Sequence, residues 1–318
     1  MPSSSLRRTG RRVRRATIGG VPTSDPASST HHPAATSAQL GTVPHRDDLD
    51  VLVPTRDRAA ALAVTLAGLL SQDLSARLVL ADQAPGTSST EQPEIASLLA
   101  VMRRRGWEVE VDHRDGVVHG VTEQRQHLLD RAERTYVLML DDDVLLERWV
   151  LRQLIEAMDV LGCGFVGMAH AAASYLDDVR PHELETFELW PGGKVEPERI
   201  RKGDPAWERW RLHNAANVQH LLDRLPPGAL DARGWAAYKV AWVAGCVLFQ
   251  ADALRDVGGF GFWADLPPNL RGEDVVTQLQ VAETAGGAGL LPSGAWHLEL
   301  PTSIEDRSVD AYAAVLEA

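Results

Sequence analysis

Short apolar runs alternate with stretches of helical periodicity along residues 46–168. The apolar runs predict buried strands, which fall at 49–53, 77–81, 107–111, 136–140 and 164–168. The stretches between them place apolar side chains on one helical face and predict helices at 59–70, 94–105, 121–131 and 148–160. Strands that alternate with helices are typical of right-handed βαβ units. The pattern therefore predicts an α/β fold with a mostly parallel central sheet flanked by helices.

This alternation stops at residue 169, and regular signals return only near residue 241. Prolines and four tryptophans interrupt 169–240, where a helix is predicted at 207–225. A stretch this long with little regular structure is uncommon in compact domains, so we expect a substrate-shaping insertion. Most of the tryptophans are expected in the core and one or two in a pocket; they are Trp190, Trp207, Trp210 and Trp235. Farther on, the pattern predicts a strand at 241–249, helices at 252–257 and from Gly272 onward, strands within 290–299 and a C-terminal helix at 303–318.

A run of five apolar residues leads directly into three consecutive aspartates. Residues 136–146 read YVLMLDDDVLL, so Asp141, Asp142 and Asp143 follow a strand buried on both faces. Open α/β sheets bind ligands at this edge, and adjacent carboxylates are stabilised by a divalent cation. The motif alone leaves two interpretations open, a metal site and an exposed acidic turn. On an extended chain Asp141 and Asp143 point to one side and Asp142 to the other, so Asp142 is expected to be dispensable.

The net charge of -12 is unevenly distributed. Residues 1–45 carry six arginines and one acidic residue, with almost no large apolar side chains, so we predict a disordered tail. We interpret it as a solvated tail or an overlong start of the reading frame, and the alternative is a weak peripheral contact with anionic lipid or with nucleic acid. The remaining chain is acidic, which argues against nucleic acid as a partner.

The location of the protein is predicted from its cysteines and from its apolar segments. Only two cysteines are present, Cys163 and Cys246, far apart in the chain, which predicts buried reduced thiols in a cytoplasmic protein. No apolar stretch reaches the roughly 20 residues of a membrane helix. The arginine cluster also lacks the apolar segment of a secretory signal.

Several motifs occur in an order that resembles family 2 glycosyltransferases with the GT-A fold. PTRDR follows the first strand, Asp82 follows the second, GVVHGVTEQR precedes the central strand and LDDDV follows it. VAGCVLFQADALRDVGGF and RGEDVVTQL are similar to the acceptor half of that family. The resemblance covers about residues 49–300. It implies a glycosyltransferase domain at 46–302, with a nucleotide-binding half at 46–168 and an acceptor half at 169–302.

The resemblance also implies roles for individual residues. Asp143 would coordinate Mn²⁺ or Mg²⁺, Asp141 would share the ion or hold the ribose, and His297 would complete the metal site. The donor would be a nucleoside diphosphate sugar, linked to UDP or GDP. Pro54, Thr55 and Arg58 would line its base and ribose, Asp82 would accept a hydrogen bond from the base, and Arg125 would face the diphosphate. Asp142 is counted with these nucleotide-sugar-binding residues, although its predicted direction makes it dispensable.

The chemistry of sugar transfer agrees with these residue types. A metal ion can neutralise the leaving diphosphate, and a base must deprotonate the hydroxyl of the acceptor, whose identity is open. Asp274, or less favourably Glu273, can act as that base at a helix N-terminus, where the helix dipole is expected to lower its pKa and keep it ionised. Helix capping is the alternative role for this pair. A single base opposite the leaving group implies inversion at the anomeric carbon.

Two other classes of protein remain as alternatives. A nucleotidyltransferase of similar architecture would need a glycine-rich loop after its first strand, and PTRDR contains no glycine. A catalytically silent nucleotide-sugar-binding module would have no need for Asp141, Asp143, Asp274 and His297 together. The motifs GxxxxGKS and HExxH are absent from the sequence.

Overall fold

The computed structural model describes residues 41–116, 120–230, 232–301, 306 and 308–317 of the 318-residue chain. The predicted disordered tail lies outside the described residues up to residue 40, and His45 already begins the first strand. Part of the predicted C-terminal helix lies outside them as well. Its described portion is a two-residue strand followed by a helix whose first turn is capped by the Asp310 carboxylate, which accepts from the Tyr312 N–H at 3.1 Å.

The described residues form thirteen strands and eight α-helices. The strands are β1 His45–Thr55, β2 Ser75–Asp82, β3 Glu108–His113, β4 Tyr136–Leu140, β5 Val144–Leu146, β6 Phe165–Gly167, β7 Ala171–Ala172, β8 Ala236–Tyr238, β9 Cys246–Gln250, β10 Leu270–Arg271, β11 Gly287–Leu291, β12 Ala295–His297 and β13 Val309–Asp310. The helices are α1 Ala59–Leu70, α2 Pro93–Arg104, α3 Gly120–Asp130, α4 Val150–Leu161, α5 Asn217–His220, α6 Ala251–Asp256, α7 Glu273–Ala285 and α8 Ala311–Leu316.

The central sheet has eight strands in the order β3-β2-β1-β4-β9-β6-β11-β8. β1, β2, β3 and β4 are parallel, and β6 is parallel to β11. β9 runs antiparallel to both of its neighbours, and β8 runs antiparallel to β11. The sheet is therefore mixed, with a parallel half that brings the carboxyl ends of β1, β2 and β4 to one edge. Thr55 pairs with Asp82 at this edge.

Both faces of the sheet are covered, which explains the unbroken apolar runs. Leu49, Val51 and Val53 face a core shared with α1, α2 and α4, whereas Leu52 faces a second core shared with α3, α6 and α7. Both cysteines are buried free thiols, as predicted, and burial raises the pKa of each to about 12. Within the described part of the chain, no helix is long and apolar enough to cross a bilayer.

The insertion is mostly built from short 3₁₀ turns. The helix predicted at 207–225 is wrong as a single element: a 3₁₀ helix at Pro205–His213 is followed by α5 and a further 3₁₀ turn at Leu221–Arg224. Asn214 is extended, and Ala215 has a positive φ of 52°. These two conformations break the helical hydrogen-bond pattern, which the apolar spacing alone did not indicate.

Candidate active site

The acidic triplet lies in a turn that joins two different sheets. β4 ends at Leu140, and β5, which begins at Val144, pairs with β12 in a separate three-stranded sheet. This pairing sets Val144 opposite His297, and the Leu298 N–H donates to the Asp143 carbonyl at 3.0 Å. The late histidine is thus brought beside the triplet by strand pairing across about 150 residues of sequence.

Asp142 and Asp143 share one arginine. Arg58 donates from Nη1 to Asp142 Oδ1 at 2.9 Å and from Nη2 to Asp143 Oδ2 at 2.6 Å. Thr55 Oγ1 also donates to Asp142 Oδ2 at 2.6 Å. Because the chain turns here, the prediction that Asp142 points away from the site is wrong, whereas its being dispensable stays a prediction. Its carboxylate is buried and ties the triplet to the loop after β1.

The two carboxyl groups of this pair have opposite pKa shifts. Burial and the neighbouring carboxylates outweigh the hydrogen bond from Thr55 and the charge of Arg58, and they raise the pKa of Asp142 to about 6. For Asp143, burial is outweighed by hydrogen bonding to His297 and Arg58, which lowers its pKa to about 2. Asp143 is therefore the firmly ionised carboxylate of this pair.

His297 contacts Asp143 with one ring nitrogen and the backbone with the other. Its Nε2 lies 3.4 Å from Asp143 Oδ2, and the carboxylate raises the pKa of His297. Its Nδ1 accepts from the Glu299 N–H at 3.0 Å, so the neutral ring carries its proton on Nε2. A metal ion at Nε2 would require the other tautomer and the loss of this contact.

Asp141 is held separately from the other two aspartates. Arg125 on α3 donates from Nη2 to Asp141 Oδ1 at 2.6 Å, and its Nε lies 3.3 Å from Glu273 Oε1. Burial lowers the pKa of Arg125, but the surrounding carboxylates, of which Asp274 is the third, outweigh it and raise that pKa. Arg125 therefore links the acidic turn to the start of α7.

The carboxyl groups at the start of α7 have raised pKa values. Burial, reinforced by Asp274, raises the pKa of Glu273 to about 7, and burial also raises that of Asp274. The expectation that the helix dipole lowers the pKa here is wrong, because the cost of removing two adjacent carboxylates from water exceeds the effect of the helix end. Gly272, with a φ of 79°, supplies the left-handed residue that starts the helix at this angle.

Asp82 does not face the cavity. Its Oδ1 accepts from the Ala84 N–H, and its Oδ2 accepts from Ser88 Oγ and the Ser89 N–H at 2.6–2.8 Å. The side chain is fully buried. The expected hydrogen bond from a nucleobase to Asp82 is therefore not supported, because both carboxylate oxygens already accept from the loop after β2.

One cavity of about 440 Å³ brings the other predicted residues together. Its lining includes every predicted site residue except Asp82, namely Pro54, Thr55, Arg58, Arg125, Asp141, Asp142, Asp143, Glu273, Asp274 and His297. The lining residues that the sequence did not indicate include Arg56, Gln83, Gln124 and His170. Gln124 Nε2 donates to the Thr55 and Ala81 carbonyls and so joins the ends of β1 and β2.

His170 had a usable sequence signal, because it follows a buried apolar run just as the aspartates do. Its ring stacks on His297 with centroids 4.7 Å apart, and burial lowers its pKa. Gly245 allows this position: a Cβ there would lie 2.5 Å from His170 Cδ2, and its φ is +77°. The Gly245 carbonyl also accepts from the Asp141 N–H at 2.9 Å.

The fit of the site to a divalent cation rests on Asp143. An ionised carboxylate is a suitable ligand for Mn²⁺ or Mg²⁺, and the 3.4 Å between Asp143 and His297 is compatible with two ligands of one ion. Arg58 would have to turn away from Asp143 Oδ2. A group of three possible ligands lies elsewhere among the described residues, at His45, Asp47 and Glu108. The ligand atoms of these three side chains lie within 4.8 Å of one another, and no other such group is present in that part of the chain. Asp141 is thus not brought into a three-residue metal group.

The sequence matches the family model of glycosyl transferase family 2 over residues 50–224. This match spans more than half of the chain, so the chain belongs to that family. Together with the helix-flanked central sheet, the family confirms the predicted α/β fold of the GT-A type. The match includes the acidic triplet and ends before Asp274 and His297.

Solved structures with a similar fold include three that are 14–15% identical to the chain. S. aureus TarS 1-349 has a TM-score of 0.48, with 79% of this chain and 60% of that chain covered. Its complex with UDP-GlcNAc has a TM-score of 0.47, with 81% and 60% covered. The mannosyltransferase PcManGT from Pyrobaculum calidifontis in complex with GDP-Man and Mn²⁺ also has a TM-score of 0.47, with 81% and 59% covered. The alignments thus span about 60% of each of these structures. A search of curated proteins gave no match.

Proposed function

We propose that the protein transfers a sugar from a nucleoside diphosphate sugar, linked to UDP or GDP, to an acceptor hydroxyl with inversion at the anomeric carbon. One observation carries this proposal. A single cavity is lined at once by the ionised Asp143, by three arginines and by the carboxylates that begin α7. Such a cavity offers positive charge for a diphosphate and a base for a hydroxyl.

The donor end of the cavity is formed by the loops after β1 and β4. Arg58 and Arg125 can donate hydrogen bonds to the diphosphate oxygens if each divides its N–H groups between its carboxylate partner and the ligand. Pro54, Thr55 and Gln83 line the cavity and can contact the nucleoside. Asp143, with His297 in its other tautomer, would hold Mn²⁺ or Mg²⁺, which when bound supplies positive charge to the leaving diphosphate.

The transfer step is assigned to the carboxylate at the second position of α7. Asp274 accepts the proton of the acceptor hydroxyl while the oxygen forms its bond to the anomeric carbon and the bond to the diphosphate breaks. A single base on the face opposite the leaving group gives inversion. Glu273, held by Arg125, keeps a shared negative charge beside Asp274 and is the positioning partner.

We propose a cytoplasmic location from the two cysteines alone. Cys163 and Cys246 are buried and unpaired, which agrees with a reducing, cytoplasmic compartment.

Two measurements test the proposal. Calorimetry with UDP, GDP and their common sugar conjugates, with and without Mn²⁺, should show metal-dependent binding of one nucleotide family. Proton NMR of the first-formed product should show an anomeric configuration opposite to that of the donor. Retention of configuration would refute the single-base mechanism, and binding that Mn²⁺ does not affect would refute the metal assignment.

A further inference from the structure

A second cavity of about 410 Å³ adjoins the start of α7. Asp274 lines both this cavity and the active-site cavity, and it is the one residue that the two linings share. Among the described residues, the Asp274 carboxylate forms no hydrogen bond with another side chain, although it lines both cavities. The proposed base thus lies at the boundary between two spaces.

Aromatic rings from three separate segments form the wall of this second cavity. Trp207 comes from the 3₁₀ helix of the insertion, Trp242 from the segment before β9 and Tyr312 from α8. The centroids of Trp207 and Trp242 are 5.0 Å apart at 57°, and those of Trp207 and Tyr312 are 4.9 Å apart at 67°. Both tryptophans are half-buried, so part of each indole remains open to a ligand.

The inclined rings indicate which ligand shape would fit. Rings at 57° and 67° form a corner, whereas a flat nucleobase is best held between parallel rings. A corner suits a puckered ring that has apolar C–H faces and a polar edge. The cationic groups of Lys202 and Arg271 at the rim argue against a quaternary ammonium ligand, which would be repelled.

The polar rim supplies hydrogen-bonding groups around the aromatic corner. Lys202 Nζ lies 3.8 Å from Asp310 Oδ2, and the Lys202 N–H donates to the Tyr312 hydroxyl at 2.7 Å, which fixes the position of that ring. Arg271 is exposed and forms no ion pair with any described residue. These groups offer both donors and acceptors to hydroxyl groups.

We infer that this second cavity is the acceptor subsite and that it binds a carbohydrate. A pyranose would lay its C–H face on Trp242 and Trp207 and direct its hydroxyls to the rim. One hydroxyl would then reach Asp274, the boundary with the donor cavity. This inference rests on the proposed function for the role of Asp274. Trp242, Arg271 and Tyr312 lie outside the family match at 50–224.

The test is direct carbohydrate binding by the full chain, with no donor present. A glycan array of neutral and acidic oligosaccharides is probed with the labelled wild type, with Trp242→Ala and with Trp210→Ala. Trp210 lies on the same 3₁₀ helix as Trp207 but lines neither cavity, which makes it the matched control. We expect the wild type and Trp210→Ala to bind the same glycans, and Trp242→Ala to bind them about tenfold more weakly, because it loses one stacked ring.

A parallel calorimetric titration with UDP and GDP in Mn²⁺ separates this inference from the proposed function. Unchanged nucleotide binding in Trp242→Ala, with weakened glycan binding, supports the subsite. Glycan binding without nucleotide binding in the wild type would refute the proposed donor and leave the carbohydrate site in place. A wild type that binds no glycan, or a folded Trp242→Ala that binds as tightly as the wild type, overturns the subsite.

Hydrogen exchange on the wild type covers the case in which Trp242→Ala fails to fold. A glycan found on the array should protect amides around Trp207, Trp242 and Tyr312. Protection confined to other segments would overturn the assignment.

Discussion

The two cavities that meet at Asp274 are built by different kinds of interaction. The donor-side cavity is held by charged hydrogen bonds, in which Arg58 and Arg125 bind three aspartates and Glu273 across four segments. The acceptor-side cavity is formed by aromatic rings from short, irregular segments. The first lies at the carboxyl edge of the parallel strands, and the second lies between the insertion and the C-terminal helix.

This difference separates chemistry from specificity. Charge pairs at strand ends have fixed geometry, since each strand is registered by its neighbours, and a diphosphate needs such fixed charges. Aromatic walls on loops can change without disturbing the sheet. The donor chemistry is therefore expected to fail sharply on single substitutions, and the acceptor side gradually.

The largest effect is expected at the residue that both cavities share. Asp274→Asn should lower the transfer rate by about 10² to 10⁴, because the acceptor hydroxyl loses its base, while donor binding is retained. Turnover and calorimetric donor affinity measure the two parts. Asp252→Asn, an exposed carboxylate in the first turn of α6, is the matched control. Wild-type turnover in Asp274→Asn would move the base to another residue.

The donor cavity alone is tested by Asp143→Ala. Loss of the ionised carboxylate should weaken Mn²⁺-dependent nucleotide binding by about 10- to 100-fold. Removing a residue that only supports a metal ligand already lowers metal affinity by about this factor, and Asp143 would be a ligand itself. Calorimetry with and without Mn²⁺ measures this change. Asp47→Ala removes a carboxylate of the exposed His45, Asp47, Glu108 group and should leave the Mn²⁺ effect intact. If Asp47→Ala abolished that effect instead, the functional ion would bind at the exposed group.

Next in size is the structural contribution of the charge network. Asp142→Ala leaves Thr55 Oγ1 and Arg58 without their buried partner and should lower the free energy of unfolding by about 2 kcal/mol. Urea unfolding measures this loss. Asp142→Asn keeps an acceptor for Thr55 and should lose less. Equal stability of Asp142→Ala and the wild type would support the prediction that Asp142 is dispensable.

The smallest expected effect is a shift in pH dependence. Because the pKa of Glu273 is raised to about 7 and that of Asp274 is raised as well, the pair takes up a proton as the pH falls through about 7. The value of kcat/KM should therefore be high above this pH and fall below it. Glu273→Gln removes a neighbouring negative charge and should move the midpoint to lower pH. A flat profile between pH 6 and 8 would contradict the raised pKa values.

Local sequence patterns predicted the elements that are buried on both faces. The runs at 49–53, 77–81 and 136–140 lie in β1, β2 and β4, and the helices around Leu62 and Leu128 match α1 and α3. These predictions are correct because the spacing of apolar residues directly reflects which side chains are buried. The prediction of one helix in the insertion was wrong, because 3₁₀ turns and the positive φ of Ala215 are not visible in the spacing of apolar residues.

The sequence also placed Asp141, Asp143, Arg125 and Asp274 at strand ends and helix starts, and the structure brings all four to one cavity. It could not show which partner each carboxylate takes. Asp82 was expected at a nucleobase, yet its oxygens bind three groups of its own loop. Whether loop groups or a ligand occupy a carboxylate depends on where the loop folds back. The spacing of residues in the sequence does not show this.

The sequence by itself determined the alternating elements, the acidic triplet after the central strand and the family. Only the tertiary structure decided that the triplet forms a turn divided between Arg58 and Arg125, and that burial raises the pKa values at the start of α7. It also brought Trp207, Trp242 and Tyr312 together beside Asp274. The physical reason is range: hydrophobic period acts over a few residues, whereas charge pairing and desolvation depend on groups that are distant in the chain.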